Sequence, residues 1–393
     1  MLAERVNKIL TSATMQVSAQ AKKLIAEGAD VINLSVGELD FPTPDNIKEA
    51  GKKGIDANKT RYTVTPGTLE LRNAIASKFK RDNNLDYSVN EITVSGGAKQ
   101  SLFNAIMALV NPGDEVIFSS PYWVSYPEMV SLAEGKSVII ETKTEDGFRI
   151  SGKKLEDAIT DKTKLIILCN PSNPTGAAYN KNELEELAEV IIKHDLYVLS
   201  DEIYEKLVYD DFKFYSFAQI KPEIKERVII VNGLSKSYSM TGWRLGYAAG
   251  DQEIIAAMNK IQSHTTSHAS SISQEAAVEA LNGPQVMLEK MLSELIDRRN
   301  YLYNELISIH GIKCYKSEGA FYLFPEITSL YNKQLKIESS LDLAMYLLKE
   351  AHIAVVPGYA FGAEGYIRIS YATSMDNLKE TIYRLKKALK KFE

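Results

Sequence analysis

Residues 227–247 read RVIIVNGLSKSYSMTGWRLGY, and the fold turns on what Lys236 does at the end of that run. The stretch Val228–Val231 carries no charge and leads into Asn232 and Gly233, a pattern for a strand buried on both faces. Lys236 follows among serines, and no acidic residue occurs from Ser235 to Tyr247. A lone lysine there either snorkels from a loop or is an amine kept for chemistry. The remainder of the chain decides between these readings.

Five further runs have the same character: EITVS (91–95), DEVIFSS (114–120), KSVIIE (136–141), KLIILCN (164–170) and LYVLSDE (196–202). Stretches of helical period lie between and after them, at Lys99–Val110, Glu183–His194 and Gln274–Leu281. Strands apolar along their whole length, alternating with helices, predict an α/β fold with a mostly parallel sheet covered by helices. After Gly283-Pro284 the texture changes. VMLEKMLSELIDRRNYLYNELISI (286–309) predicts one long helix, followed by the short strands GAFYLF, IAVVPG and YIRISYA. The expectation is a large unit over 45–285 and a smaller α+β unit formed by 1–44 together with 286–393.

The chain has 393 residues, 45% of them hydrophobic, 25% charged, and a formal net charge of −5. That balance offers no basic footprint for nucleic acid and no polybasic patch for a membrane surface. No apolar run approaches the ~20 residues that span a bilayer, and Met1–Val17 lacks the apolar core of a secretory signal. A soluble cytoplasmic protein is expected. With two cysteines, a disulfide framework is not expected, and Cys169 in KLIILCN reads as a reduced core thiol. The five histidines show no metal-ligand spacing, so no metal is expected.

In open α/β sheets ligands bind beyond the carboxyl ends of the strands. Three successive strands end there in an amide, a carboxylate and a lysine: Asn170-Pro-Ser-Asn-Pro-Thr-Gly176 after KLIILC, Asp201 after LYVLS, and Lys236 after RVIIVNG. Each alone has an ordinary explanation, as a turn opener, a helix cap or a loop lysine. Together they match what pyridoxal phosphate asks for: a lysine sheltered enough to act as a nucleophile and a carboxylate that pairs with the ring nitrogen. A phosphate needs its own cradle. Ser95-Gly-Gly-Ala-Lys-Gln100 joins a strand to a helix start, where N–H groups and the helix dipole favour an anion. Arg244 could add a charge-assisted fork.

With these residues assembled, the chain resembles the class I pyridoxal-phosphate aminotransferases of fold type I. Within them it is most similar to the bacterial-type aspartate aminotransferases of subgroup Ib. The likeness runs over nearly the whole chain through SVGELDF, RYTVTPGTLELR, GGAKQ, SSPYWVSYPE, NPSNPTG, SDEIYE, SKSYSMTGWRLGY, EGAFYLFP, AVVPGYAFG and IRISYATS, in that order. The resemblance implies that Lys236 holds the coenzyme and then moves a proton, that Asp201 pairs with the pyridine nitrogen, and that Tyr204 and Asn173 bond the ring hydroxyl oxygen. It implies Trp123 stacking on the ring, and Ala98, Lys99, Ser235 and Arg244 around the phosphate. A tyrosine matched by Tyr62 would reach that phosphate from a second copy, which implies a homodimer with shared active sites. Arg368, assisted by the backbone of Gly37, would clamp the substrate α-carboxylate; an arginine set among apolar residues needs an anionic partner.

An N-terminal segment closes over substrate in the subgroup, and Ser12 and Thr14 match its hydroxyl-bearing stretch. Lys99 would attract a side-chain carboxylate, which fits aspartate as amino donor and 2-oxoglutarate as acceptor. Leu10 stands where prephenate-using members carry a lysine, Leu39 where the family's GEPDF has proline, and Ala98 where a glycine is common. An aromatic or broad-specificity aminotransferase would keep every coenzyme residue and differ in the pocket wall. A carbon–sulfur lyase or aminocyclopropane carboxylate synthase would share the coenzyme and differ in product. The related ligand-binding modules of transcription regulators carry a separate DNA-binding domain, for which this chain has no spare length.

Overall fold

The computed structural model describes residues 2–9 and 13–392. Its centre is a seven-stranded sheet made of β1 (Ile92–Ser95), β2 (Glu115–Ser120), β3 (Lys136–Glu141), β4 (Thr163–Cys169), β5 (Tyr197–Asp201), β6 (Val228–Gly233) and β7 (Gly246–Ala249). Their order across the sheet is β1-β7-β6-β5-β4-β2-β3. The strands from β6 to β3 run parallel, while β7 lies antiparallel to both β1 and β6. Alternate residues feed two cores, one holding Ile117, Ile166, Val198 and Ile230, the other Val116, Ile167, Leu199 and Ile229. That division is the two-sided burial the apolar runs predict.

Two sequence expectations change. β3 was expected to be buried on both faces, but it is an edge strand with Ile139 44% exposed. Gly246–Ala249 carries only small residues and a tyrosine, so no apolar run announced it as a strand. It lies there because β6 turns back along itself. A Cβ on Gly246 would collide with the backbone of Gly97 and Ala98, so glycine lets β7 press against the start of α1 (Ala98–Leu109).

The long helix expected after Pro284 is Val286–Ile307, and it packs with the helices Ser340–Ala351 and Met375–Leu389 around a separate core that includes Leu295, Leu302, Leu343 and Leu378. Against it lies a three-stranded sheet in which β10 (Ile367–Ser370) is flanked by β9 (Val356–Pro357) and β8 (Tyr322–Leu323). Ile32–Asn33 pairs in parallel with Ile353–Ala354. That pairing brings the segment Ser35–Glu38 to the carboxyl ends of β4, β5 and β6. Among the described residues no helix is long and apolar enough to cross a membrane.

Candidate active site

Where β4, β5 and β6 end, the chain encloses a cavity of about 460 Å³, within the usual range for a small-molecule site. Lys236, Asp201, Tyr204, Asn173, Ser235, Arg244, Ala98, Lys99, Trp123, Gly37 and Arg368 all line it. Residues from 37 to 368 converge because parallel strands deliver all their loops to one edge of the sheet.

Lys236 is half-buried and its ammonium donates to the carbonyl oxygen of Gly37. Burial and the Arg368 charge push it down to about 8, although Glu38 and Asp201 act in the opposite direction. A lysine so shifted exchanges protons near neutral pH. Asp201 is 5% exposed at the end of β5. Burial raises its carboxyl to about 6, and the Tyr126 hydroxyl, donating to Oδ2 at 2.7 Å, holds it down against that trend.

Arg368 is buried, with Nη1 donating to Asn173 Oδ1 at 2.9 Å and Nη2 to the Ser35 carbonyl at 2.7 Å. Among the described residues its Nε has no hydrogen-bond partner, and no acidic side chain forms an ion pair with it. Asn173 thereby spends its carbonyl oxygen on Arg368, which leaves its amide N–H groups to donate elsewhere.

At the opposite wall Gly97 takes φ +102° and opens α1, whose first N–H groups have no acceptor within the helix. Arg244 donates to the carbonyls of Thr241 (2.9 Å) and Gly96 (3.3 Å), and a Cβ on Gly97 would lie 2.7 Å from its Nη2. The Lys99 ammonium sits 4.8 Å from the Trp123 ring centroid at the exposed mouth.

This cavity belongs to a chain whose residues 29–385 match the model of the family described as aminotransferase class I and II. The chain belongs to that family. It is 49% identical over 392 residues to the probable aspartate/prephenate aminotransferase of Rickettsia felis, covering 98% of this chain and 96% of that one. To the aspartate aminotransferase of Bacillus subtilis it is 46% identical over 390 residues, 99% of each chain. The crystal structure of the aspartate aminotransferase from Rhizobium meliloti superposes with a TM-score of 0.96 at 46% identity, covering 99% of both chains. The fold is thus that of the fold-type-I aminotransferases, as the motif order implied, and members of the family use pyridoxal 5′-phosphate.

Not every expected residue lines this aminotransferase's cavity. Tyr62 lies outside it, 93% exposed, with its ring edge-on to His268. Ser12 lies outside the described residues; Thr14 falls in the first turn of the helix Ala13–Ala26, and its side chain is likewise not described. Cys169, expected in the core, is instead a half-buried free thiol on the cavity wall at the end of β4. Its position follows from pairing with Asp201 across the sheet, and burial pushes the thiol well up.

Three residues at the site escaped the sequence reading. Tyr126, in the quoted SSPYWVSYPE, is the partner of Asp201. Tyr322, in EGAFYLFP, lies 3.0 Å from Tyr204 hydroxyl to hydroxyl. Glu202 is buried behind Asp201 and accepts from the Ser200 and Ser216 hydroxyls (2.8 and 2.9 Å) and the Phe217 N–H (3.0 Å). The motifs marked these stretches as special, but no local signal said which partner each side chain would meet.

Proposed function

We propose that this aminotransferase is a pyridoxal 5′-phosphate enzyme that moves the amino group of aspartate to 2-oxoglutarate in a ping-pong sequence, oxaloacetate leaving before 2-oxoglutarate binds. The observation that carries the reading is Arg368. It is a buried guanidinium without a carboxylate partner among the described residues, opening on the same cavity as a pKa-lowered lysine and a buried aspartate. Such a cation calls for a bound anion. The aspartate-named relatives support aspartate as donor.

The residues present fit the coenzyme. The N-terminal N–H groups of α1 at Ala98 and Lys99, with Ser235 and Arg244, form an anion cradle of the kind that takes a phosphate. Asp201 would face the ring nitrogen, Tyr204 and Asn173 would donate to the ring hydroxyl oxygen, and Trp123 would cover the ring. When bound, the coenzyme supplies an electron-withdrawing pyridinium that makes the substrate Cα proton acidic. Lys236 Nζ takes that proton and returns it, a task suited to an amine that titrates near 8. Arg368 and the Gly37 backbone hold the α-carboxylate, and Lys99 at the mouth holds the side-chain carboxylate. Ser12 and Thr14 belong to the segment that closes above.

Tyr62 serves the phosphate of a second copy in this reading, so the working unit is a homodimer in the cytoplasm. Its near-complete exposure, with Ile55, Val64 and Leu69 each more than half exposed nearby in sequence, supports a covering partner. Residues 45–285 form the coenzyme-binding unit, and 1–44 with 286–393 the smaller one. Leu10 argues against prephenate, and no pocket feature favours a lyase.

Adding aspartate alone to the coenzyme-loaded protein should bleach the visible band and release one oxaloacetate per site. A band that responds to aromatic amino acids and ignores aspartate would refute the donor. Release of ammonia with fumarate, in place of oxaloacetate, would refute transamination.

A further inference from the structure

Tyr322 is fully buried on β8, and three candidate site residues meet it. It pairs with Ser370 across the antiparallel register, so Arg368, two residues earlier on β10, is its diagonal neighbour on the same face. The Arg368 guanidinium carbon lies 4.4 Å from the Tyr322 ring centroid, with Phe361 at 5.2 Å. Its hydroxyl is 3.0 Å from that of Tyr204. A Cβ on Gly37 would come within 2.9 Å of the same hydroxyl, so only glycine leaves that contact undisturbed. One ring therefore touches the residue read as the carboxylate clamp, the residue read as the coenzyme-hydroxyl donor, and the backbone between them.

We propose that Tyr322 is a positioning residue that couples the substrate-carboxylate clamp to the coenzyme: its face fixes the Arg368 guanidinium, and its hydroxyl donates to Tyr204 so that Tyr204 donates more strongly to the ring oxygen. The inference rests on the coenzyme reading above. The direction of donation follows from that reading, because a Tyr204 hydroxyl that gives its proton to the ring oxygen can only accept from Tyr322. Burial raises both phenols, and the neighbouring Arg368 charge opposes this at both, standing second only to burial among the influences on Tyr322. Chains of hydrogen bonds polarise one another, each strengthening the next by about 10–30%. The aromatic face holds a desolvated guanidinium more firmly than an aliphatic one.

Two variants separate the two halves. Tyr322→Phe keeps the ring and removes the hydroxyl. The midpoint of the coenzyme-band pH titration should rise by about 0.3–0.5 pH unit, because the anionic ring oxygen loses support. The same substitution in a Tyr204→Phe background should cause no further rise, since the relay is already cut. Tyr322→Leu removes the ring face, and the dissociation constant for succinate, an unreactive dicarboxylate, should rise about tenfold, while Tyr322→Phe leaves it unchanged. An unshifted midpoint in Tyr322→Phe, or an equal shift in both backgrounds, overturns the relay. Wild-type succinate affinity in a Tyr322→Leu protein of unchanged melting temperature overturns the clamp. Absence of a coenzyme band in the wild-type protein is a different failure: it overturns the coenzyme reading itself, and this inference with it.

Discussion

Replacing Tyr126 by Phe removes one oxygen atom and, by this structure, changes the charge state of Asp201. The Tyr126 hydroxyl donates to Asp201 Oδ2 at 2.7 Å, while the other carboxylate oxygen has only a long contact, 3.4 Å, from the Ile203 N–H. The hydroxyl is thus the main local support of the ionised form, and burial already lifts the carboxyl to about 6. A hydrogen bond to a charged group contributes about 1.5–3 kcal/mol, and 1.36 kcal/mol corresponds to one pKa unit. Because that bond favours the charged form, losing it raises the pKa by about 1–2 units, to roughly 7–8. At pH 7 the carboxylate passes from mostly ionised to half protonated or more, and it can no longer serve as a full counter-charge for a ring nitrogen. The edge contacts of the Tyr126 ring with Phe118 and Trp123 need no hydroxyl, so the fold should persist. The assay is a carbon-13 NMR titration of the Asp γ-carbons in coenzyme-free protein, with the Asp201 signal assigned by its loss in Asp201→Asn. Coenzyme affinity at pH 7 should fall in parallel. A titration midpoint equal to that of the wild-type protein, in a variant of unchanged melting temperature, would refute the reasoning.

Three other perturbations have definite expected outcomes. Lys236→Ala should lower turnover by roughly 10⁴-fold or more without lowering the melting temperature, since it removes an amine that burial disfavours; substantial residual turnover would contradict the proton-transfer role. Lys99→Ala should reduce kcat/KM for aspartate about 10–100-fold, the loss of one charge-assisted bond, and leave alanine turnover nearly unchanged; equal losses for both amino acids would show that Lys99 serves the phosphate instead. Glu202 has its carboxyl raised by burial and the nearby Glu205 charge to about 7 from an ordinary 4.5. A folded-state pKa above the unfolded one gives stability that is complete below pH 4.5 and lost as pH rises through 7. Unfolding free energies at pH 5 and pH 8 should therefore differ by up to about 3 kcal/mol more in wild-type protein than in Glu202→Gln; parallel pH dependences would remove Glu202 as the cause.

The six apolar runs became six strands with ends within a residue or two of those expected, and Asn170, Asp201 and Lys236 could be placed at one sheet edge before any coordinates. A run of β-branched residues encodes its own conformation, and the parallel-sheet rule then says where its end points. Strand neighbours are not encoded in the run. KSVIIE is as apolar as its companions, yet it is the exposed edge, because edge or centre depends on which strands the crossovers insert beside it. Gly246–Ala249 had no run to read; it became a strand because β6 and β1 offered it two ladders.

At the site the same division holds. Composition, strand order and the motif chain of the sequence determined the family, the fold and which residue types surround the cavity. Only the tertiary structure decided the partnerships: Tyr126 with Asp201, Tyr322 with Tyr204, and Arg368 with a carbonyl 333 positions earlier in the chain. Local sequence carries backbone propensity and burial, which act over a few residues. A hydrogen bond between distant side chains depends on register, crossing and rotamer, and these exist only once the layers have packed.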